Sequence, residues 1–168
     1  PSNPRRRRRI RDADTMTDTT ALAELDYRPL TDDRDIERLV NVLLERPSAA
    51  RTWIMLLDDQ LRSTRVIIPI DDLPNDPQAP AAMPSGGPVS AARVLGDRIA
   101  QIVDQTPAAA VVVIWERPGA PGTDPHLIRW VEGMREGFSR NPLALRAQLV
   151  LTDEGARILG GSASSRVA

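Results

Sequence analysis

Three side chains that can bind a metal or move a proton lie close together in the second half of the chain. They are Glu116, Asp124 and His126, and His126 is the single histidine among 168 residues. Carboxylates and imidazoles are common zinc ligands, and an imidazole beside a carboxylate can act as a general base. This set is therefore compatible with a metal-dependent hydrolase that uses these three residues.

A simpler interpretation of His126 is a solvent-facing residue in the first turn of a helix. The chain has no cysteine and no second histidine, and no ordered Ser/His/Asp set accompanies His126. The paired acids Asp58-Asp59 and Asp71-Asp72 can bind a divalent cation, but acids at strand ends more often stabilise turns. We therefore predict no metal site and no cofactor.

The loop from Glu116 to Asp124, which follows the apolar strand ending at Trp115, is the best candidate for a binding site. In α/β sheets, ligands favour the connection between the carboxyl end of a strand and the following helix. Glycine-rich phosphate-binding motifs are absent from this loop. Trp130 lies off the apolar stripe of the next helix, which makes it an interface candidate, since tryptophan is frequent at binding hot spots. The candidate binding residues are Trp115, Glu116, Arg117, Asp124, His126 and Trp130.

Length and composition indicate one domain. The 168 residues are 41% hydrophobic but only 3% aromatic, so leucine, isoleucine, valine and alanine must form most of the core. We predict a disordered leader at 1–24, one α/β domain at 25–159 and a flexible tail at 160–168. No apolar stretch is long enough to cross a membrane, and the lack of cysteine suits a reducing compartment, so we expect a cytoplasmic protein.

An arginine run near the start of the chain is the one feature that favours nucleic acid as a partner, because arginines neutralise phosphates. A disordered leader upstream of a start at Met16 is the simpler interpretation. All 22 basic residues are arginine, a bias that we attribute to codon usage in a GC-rich bacterial genome. The run consists of Arg5, Arg6, Arg7, Arg8 and Arg9.

Hydrophobic periodicity predicts three helices and about five strands. Helices are expected from after Thr31 to before Pro47, after Ser90, and after Asp124. Strands are expected at 52–57, around 65–70, at 108–115 and at 143–151, and a turn at 153–155 leads to a short strand through Ile158. This order predicts a single-domain mixed β-sheet with three helices packed on it. The segment 74–88 is rich in proline and glycine and is predicted to be an irregular surface loop.

The third predicted strand, with its loop and helix, resembles a known enzyme family. The stretch from Val111 to Ala120, the helix start at Asp124-Pro125 and the closing turn from Leu149 to Gly155 are similar to the RadC-like branch of the JAB/MPN metalloproteases. The similarity covers about 52–159. It implies a strand that ends in a His-x-His-Pro-Ser-Gly motif, and a helix whose acid completes a zinc site.

The chain departs from this family at the metal ligands. Trp115 and Arg117 stand at the positions of the two histidines, and the position of the acid falls at Leu127 or Ile128. None of these side chains belongs to the His/Asp ligand set of zinc. The resemblance therefore implies a degenerate, JAB/MPN-like member that acts as a non-catalytic protein-interaction domain. The sequence leaves the partner's identity and the oligomeric state open.

Overall fold

A five-stranded mixed sheet forms the centre of the structure, a computed structural model that describes residues 27–83, 86–122 and 124–160. In chain order the elements are α1 (Asp33–Leu44), β1 (Arg51–Leu57), β2 (Ser63–Ile70), β3 (Pro80–Met83), β4 (Gly86–Ser90), α2 (Ala91–Val103), β5 (Ala110–Glu116), α3 (Pro125–Phe138), β6 (Ala144–Thr152) and β7 (Gly155–Ile158). The strand order of the sheet is β2-β1-β5-β6-β7. Only the pair β5 and β6 is parallel. The predicted fold class is confirmed. The predicted leader at 1–24, with Arg5 to Arg9, and the tail after 160 lie outside the described residues.

Each helix begins at a polar residue that caps its first turn. Asp32, Ser90 and Asp124 cap α1, α2 and α3, and each side chain accepts a backbone N–H two or three residues further along. Such caps satisfy N–H groups that have no partner inside the helix. Pro125 occupies the first turn of α3, where the missing N–H of proline costs little. Among the described helices, none combines the length and apolar character needed to cross a membrane.

The sheet is covered on both faces. Ile54 and Val113 belong to a core shared with α2 and α3, whereas Met55 and Val112 belong to a second core shared with α1. All seven residues of β5 are buried, because this central strand is paired on both sides and covered on both faces. Successive residues of β5 therefore point into different layers, which determines where the candidate residues at its end lie.

The helices α2 and α3 cross in close contact because glycines stand at the crossing. A Cβ atom added at Gly96 would lie 2.6 Å from the carbonyl oxygen of Met134, and one at Gly137 would overlap the carbonyl oxygen of Arg93. No side chain fits at these positions. The close approach fixes α3, and with it the first turn that carries Asp124.

The segment between β2 and α2 is more regular than predicted. An irregular loop was expected at 74–88, but β3 and β4 form a two-stranded antiparallel sheet in which Pro80 pairs with Ser90 and Ala81 with Val89. The loop prediction is wrong for these strands. Each strand of a two-stranded sheet has an unpaired edge, so a proline there need not interrupt the hydrogen-bond ladder. Backbone hydrogen bonds from Ala91 and Ala92 to the segment before β3 hold it against α2.

Candidate functional site

A cleft of about 290 Å³ opens at one end of the sheet, and we call it the Arg117 cleft. Its walls come from the start of β1, the end of β2 with the loop that follows, the loop after β5 and the first turns of α3. Polar and apolar side chains occupy different parts of the lining. The polar residues include Arg51, Thr52, Asp71, Arg117, Asp124 and His126, and the apolar residues include Ile70, Leu73, Leu127 and Trp130.

Two tryptophans pack beneath this region. Trp115 is fully buried and Trp130 is 4% exposed, with ring centroids 6.1 Å apart. Gln148 of β6 connects Trp115 to α3, because its Oε1 accepts the Trp115 Nε1–H at 3.2 Å and its Nε2 donates to the Val131 carbonyl oxygen at 2.8 Å. The prediction that Trp130 lies off the buried stripe is wrong. The helix α3 packs against both α2 and the sheet, so its buried face is wider than one apolar stripe.

Glu116 points away from the Arg117 cleft, into the layer that contains Trp53. Its carboxylate accepts the backbone N–H of Ser48 at 2.6 Å, that of Ala49 at 3.3 Å and the indole N–H of Trp53 at 2.8 Å. Burial by itself raises the pKa of Glu116, but these three donors and the nearby Arg51 lower it, and the net pKa lies below the usual value. Glu116 is therefore a buried anion that fixes the segment before β1.

Arg117 is half-buried and held by backbone carbonyl groups. Its Nη1 donates to the carbonyl oxygens of Glu116 at 2.7 Å and Arg51 at 3.2 Å, and its Cζ lies 5.8 Å from the centroid of the Trp115 ring. Burial lowers the pKa of Arg117, and the carboxylates of Asp124 and Glu116 offset only part of this effect. Within the described part of the chain, Nε and Nη2 have no hydrogen-bond partner. The guanidinium is thus a cation held in place through Nη1, and its Nε–H and Nη2–H groups are open to a ligand.

Asp124 and His126 are exposed at the start of α3. The Asp124 carboxylate accepts the backbone N–H of His126 at 2.9 Å, which is the bond of a helix cap. The His126 ring makes no hydrogen bond to any residue that the structure describes. The interpretation of His126 as a solvent-facing residue in the first helical turn is confirmed.

The three residues of the hydrolase hypothesis are not brought together. Asp124 and His126 line the Arg117 cleft, whereas the Glu116 carboxylate is bonded on the other face of the sheet. Across residues 27–83, 86–122 and 124–160, no three histidine or acidic side chains form a group that could hold a metal ion. This arrangement does not assemble the ligand set that the sequence permitted.

One acid of each pair has a structural partner. The Asp58 carboxylate accepts the backbone N–H of Gln60 at 2.9 Å and of Arg62 at 2.8 Å, so it closes the turn between β1 and β2. The Asp71 carboxylate pairs with the guanidinium of Arg51 at the edge of the Arg117 cleft. These contacts agree with the interpretation of such acids as turn and pairing residues.

Thr52 is one of the cleft residues that sequence reasoning missed, together with Arg51, Ile70 and Leu73. It is fully buried, and its hydroxyl oxygen Oγ1 has no hydrogen-bond partner among the described residues. In the sequence, Thr52 is one polar residue at the start of an apolar run. That pattern does not distinguish a strand-end threonine in the core from one that lines a cleft, so only the three-dimensional arrangement identifies it.

The positions that the resemblance assigns to zinc ligands lie near one another. Arg117 and Leu127 both line the cleft, and Trp115 is buried beneath Arg117. Ile128, the other candidate for the acid's position, is 47% exposed and lines a neighbouring hollow instead. Comparison of the chain with protein-family models, with curated proteins and with solved structures found no match. The JAB/MPN resemblance therefore stays a prediction.

Proposed function

We propose that this chain is a non-catalytic protein-interaction domain, a degenerate relative of the RadC-like JAB/MPN family, and that it receives its partner at the Arg117 cleft. One observation carries the proposal. At the positions where the family places its metal ligands, this chain has a buried indole at Trp115, a fixed guanidinium at Arg117 and an aliphatic side chain at Leu127.

The chemistry of these groups opposes metal binding. A guanidinium is a permanent cation with five N–H donors and no acceptor, so it repels a metal ion and attracts an anion. The indole offers only an N–H, and the Trp115 N–H is already bonded to Gln148. A cleft with a fixed cation and an apolar wall is suited to recognition of a partner. The proposed compartment is the cytoplasm, because a chain without cysteine forms no disulfide and is suited to a reducing environment.

Neither alternative function gains support from the geometry. The metal-dependent hydrolase requires Glu116 together with Asp124 and His126, and Glu116 is committed to the opposite face of the sheet. Nucleic-acid binding through Arg5 to Arg9 concerns residues outside the described part of the chain. It stays a prediction, which a salt titration of nucleic-acid affinity with and without residues 1–15 would test.

Restoration of the missing ligands tests the resemblance. The triple variant Trp115→His/Arg117→His/Leu127→Asp is expected to bind about one equivalent of zinc, because it places the family's ligand set at one site. The matched control carries Ile128→Asp in place of Leu127→Asp and is expected to bind zinc weakly. Metal content after dialysis and the zinc-dependent rise in melting temperature provide the readouts.

Two outcomes contradict the proposal. Stoichiometric zinc in the wild-type protein would show a metal site and remove the non-catalytic interpretation. A folded triple variant that binds no zinc would remove the family resemblance. Because Trp115 is fully buried, the double variant Arg117→His/Leu127→Asp, which keeps the indole, is measured in parallel; it is expected to bind zinc more tightly than the wild type.

Partner capture tests the interaction itself. Tagged wild-type protein and an Arg117→Ala variant are incubated with lysate, and retained proteins are identified and then purified for direct binding. Arg62→Ala is the control, because Arg62 is exposed in the turn after β1 and uses only its backbone there. A partner held equally well by the Arg117→Ala variant would place the binding surface elsewhere.

A further inference from the structure

The floor of the Arg117 cleft contains a polar atom with no hydrogen-bond partner among the residues that the structure describes. Thr52 pairs with Trp115 across β1 and β5, and it points to the same face as Ile54, toward α3. Its Oγ1 has no hydrogen bond to any described residue, and Thr52 lines the cleft together with Leu127 and Trp130. Buried hydroxyl groups nearly always have a partner. A polar group bound in the cleft would supply one.

The charges around the cleft favour an oxyanion. The Arg117 guanidinium is half-buried, and its Nε and Nη2 have no partner among residues 27–83, 86–122 and 124–160. The N-terminal end of α3, a helix of 14 residues, adds a positive dipole at the same place. Of the two acids in the lining, Asp71 is paired with Arg51, and Asp124 is exposed at the start of α3, where its charge offsets only part of the effect of burial on Arg117. A carboxylate matches the two free donors of a guanidinium fork.

The size and walls of the cleft suit one terminal amino-acid residue. Its volume of about 290 Å³ lies just below the roughly 300–1,000 Å³ of pockets that hold drug-sized ligands. Ile70, Leu73, Leu127 and Trp130 form an apolar wall beside the polar groups. A carboxylate attached to an apolar side chain would bring both kinds of surface into contact at once.

We propose that the Arg117 cleft binds the C-terminal carboxylate of a partner polypeptide. The carboxylate binds the guanidinium of Arg117 and accepts the hydroxyl proton of Thr52, and the last side chain of the partner packs on the apolar wall. Asp124 offers an acceptor for the partner's last backbone N–H. The inference rests on the proposed function, which brings a protein to this cleft, and it names the chemical group that is recognised.

Peptide titration followed by amide NMR shifts tests the inference. The probes are N-acetylated tripeptides that end in alanine, leucine or phenylalanine, each as the free acid and as the C-terminal amide, in buffer with EDTA. The free acids are expected to shift the amides of Thr52, Arg117 and Leu127, and the amidated peptides to bind about tenfold or more weakly. Equal binding of acids and amides, or an absence of shifts at the cleft, would overturn the inference.

A small carboxylic acid distinguishes a site for the C-terminus of a polypeptide from a site for a free acid. The compound 4-methylpentanoate carries the same carboxylate and a side chain like that of leucine, but no peptide bond. It is expected to bind more weakly than the leucine peptide. If it binds as tightly, the cleft recognises a free acid and the proposal of a polypeptide end is wrong.

Two variants assign the contacts. Arg117→Gln is expected to lower the affinity for the free-acid peptides about tenfold, and the control Arg62→Gln is expected to leave this affinity unchanged. Thr52→Val has nearly the same shape without the hydroxyl, so it is expected to weaken binding while the melting temperature stays equal or rises. A loss of binding that accompanies a fall in melting temperature would reject the assignment of Thr52 as a ligand contact.

The two hypotheses fail in different ways. Because EDTA is present, peptide binding does not depend on any metal. If the peptides fail while the zinc-restoration variants behave as expected, only the chain-end inference is lost. If the wild-type protein holds zinc and the peptides still bind at the cleft, the non-catalytic interpretation is lost and the carboxylate site stands.

Discussion

At the scale of single residues, the end of β5 separates side chains that are adjacent in the sequence. Trp115 packs toward α3, Glu116 is bonded in the opposite layer, and Arg117 is fixed at the cleft by carbonyl groups. Each has a different partner and a different environment. These three residues therefore do not form one reactive cluster. Trp115 packs in the core, Glu116 is a buried structural anion, and only Arg117 presents a charged group to the cleft.

The Glu116 carboxylate makes the stability of the protein depend on acid pH. Its pKa in the folded protein lies below its ordinary value of 4.5, because the donors from Ser48, Trp53 and Ala49 outweigh the effect of burial. The stabilisation is therefore fully present above the pKa of the unfolded chain and is lost as the pH falls through the lower folded pKa. Glu116→Gln is expected to cost about 1–3 kcal/mol at pH 7, because its amide N–H₂ replaces one of the two oxygens that accept hydrogen bonds and the charge is lost.

Chemical denaturation from pH 7 to pH 3 measures this effect. The difference in unfolding free energy between wild type and Glu116→Gln should shrink toward pH 3, where the protonated carboxyl of the wild type resembles an amide. Glu132→Gln on the exposed face of α3 is the control and should stay within about 0.5 kcal/mol of wild type. A difference that is constant across this pH range would contradict the role of the carboxylate charge.

At the scale of elements, the glycines between α2 and α3 set how closely the helices approach. Gly137→Ala raises helix propensity by up to about 1 kcal/mol. The new Cβ would nevertheless overlap the backbone of Arg93 and Asp97, and overpacking of this kind costs about 1–3 kcal/mol. We therefore expect a net loss of stability, measured by the midpoint of denaturant unfolding.

The matched control for this prediction is Gly122→Ala in the loop before α3. A Cβ at Gly122 meets no atom within 4 Å, and its substitution should change stability by no more than about 0.5 kcal/mol. If Gly137→Ala were as stable as wild type, the two helices would have to separate without loss, and the close crossing would not be what positions α3.

The elements were largely predictable from local signals, and the site was not. Helix caps at Ser90 and Asp124 and the apolar run of β5 are encoded within a few residues, so their positions followed from the sequence. Trp130 is buried because it packs against Trp115 of β5, and the Thr52 hydroxyl, which has no hydrogen-bond partner among the described residues, lies between segments that are distant along the chain. Such contacts between distant segments leave no periodic pattern. The strands β3 and β4 were missed because a segment rich in proline is usually predicted to be a loop. A two-stranded sheet nevertheless tolerates proline at its unpaired edges.

At the scale of the whole molecule, the central strand of the large sheet is held by more neighbours than the two-stranded sheet beside it. The strand β5 is buried along its full length and paired on both sides, whereas β3 and β4 pair only with each other. The loop that carries Leu73 and Asn75 joins β2 to this hairpin and forms part of the cleft wall. One wall of the cleft is thus anchored in the core, and another continues into a small separate sheet.

Hydrogen exchange should show this difference directly. Amides of β5 are expected to exchange only on global unfolding, because every neighbour of this strand must separate first. Amides of β3 and β4 are expected to exchange through local opening with a smaller free energy, since isolated two-stranded sheets are marginally stable in water. Low denaturant concentrations should speed exchange in β5 and leave the hairpin nearly unchanged. Equal protection of both regions would mean that the hairpin opens only with the core, and that the cleft has no wall able to adjust to a partner.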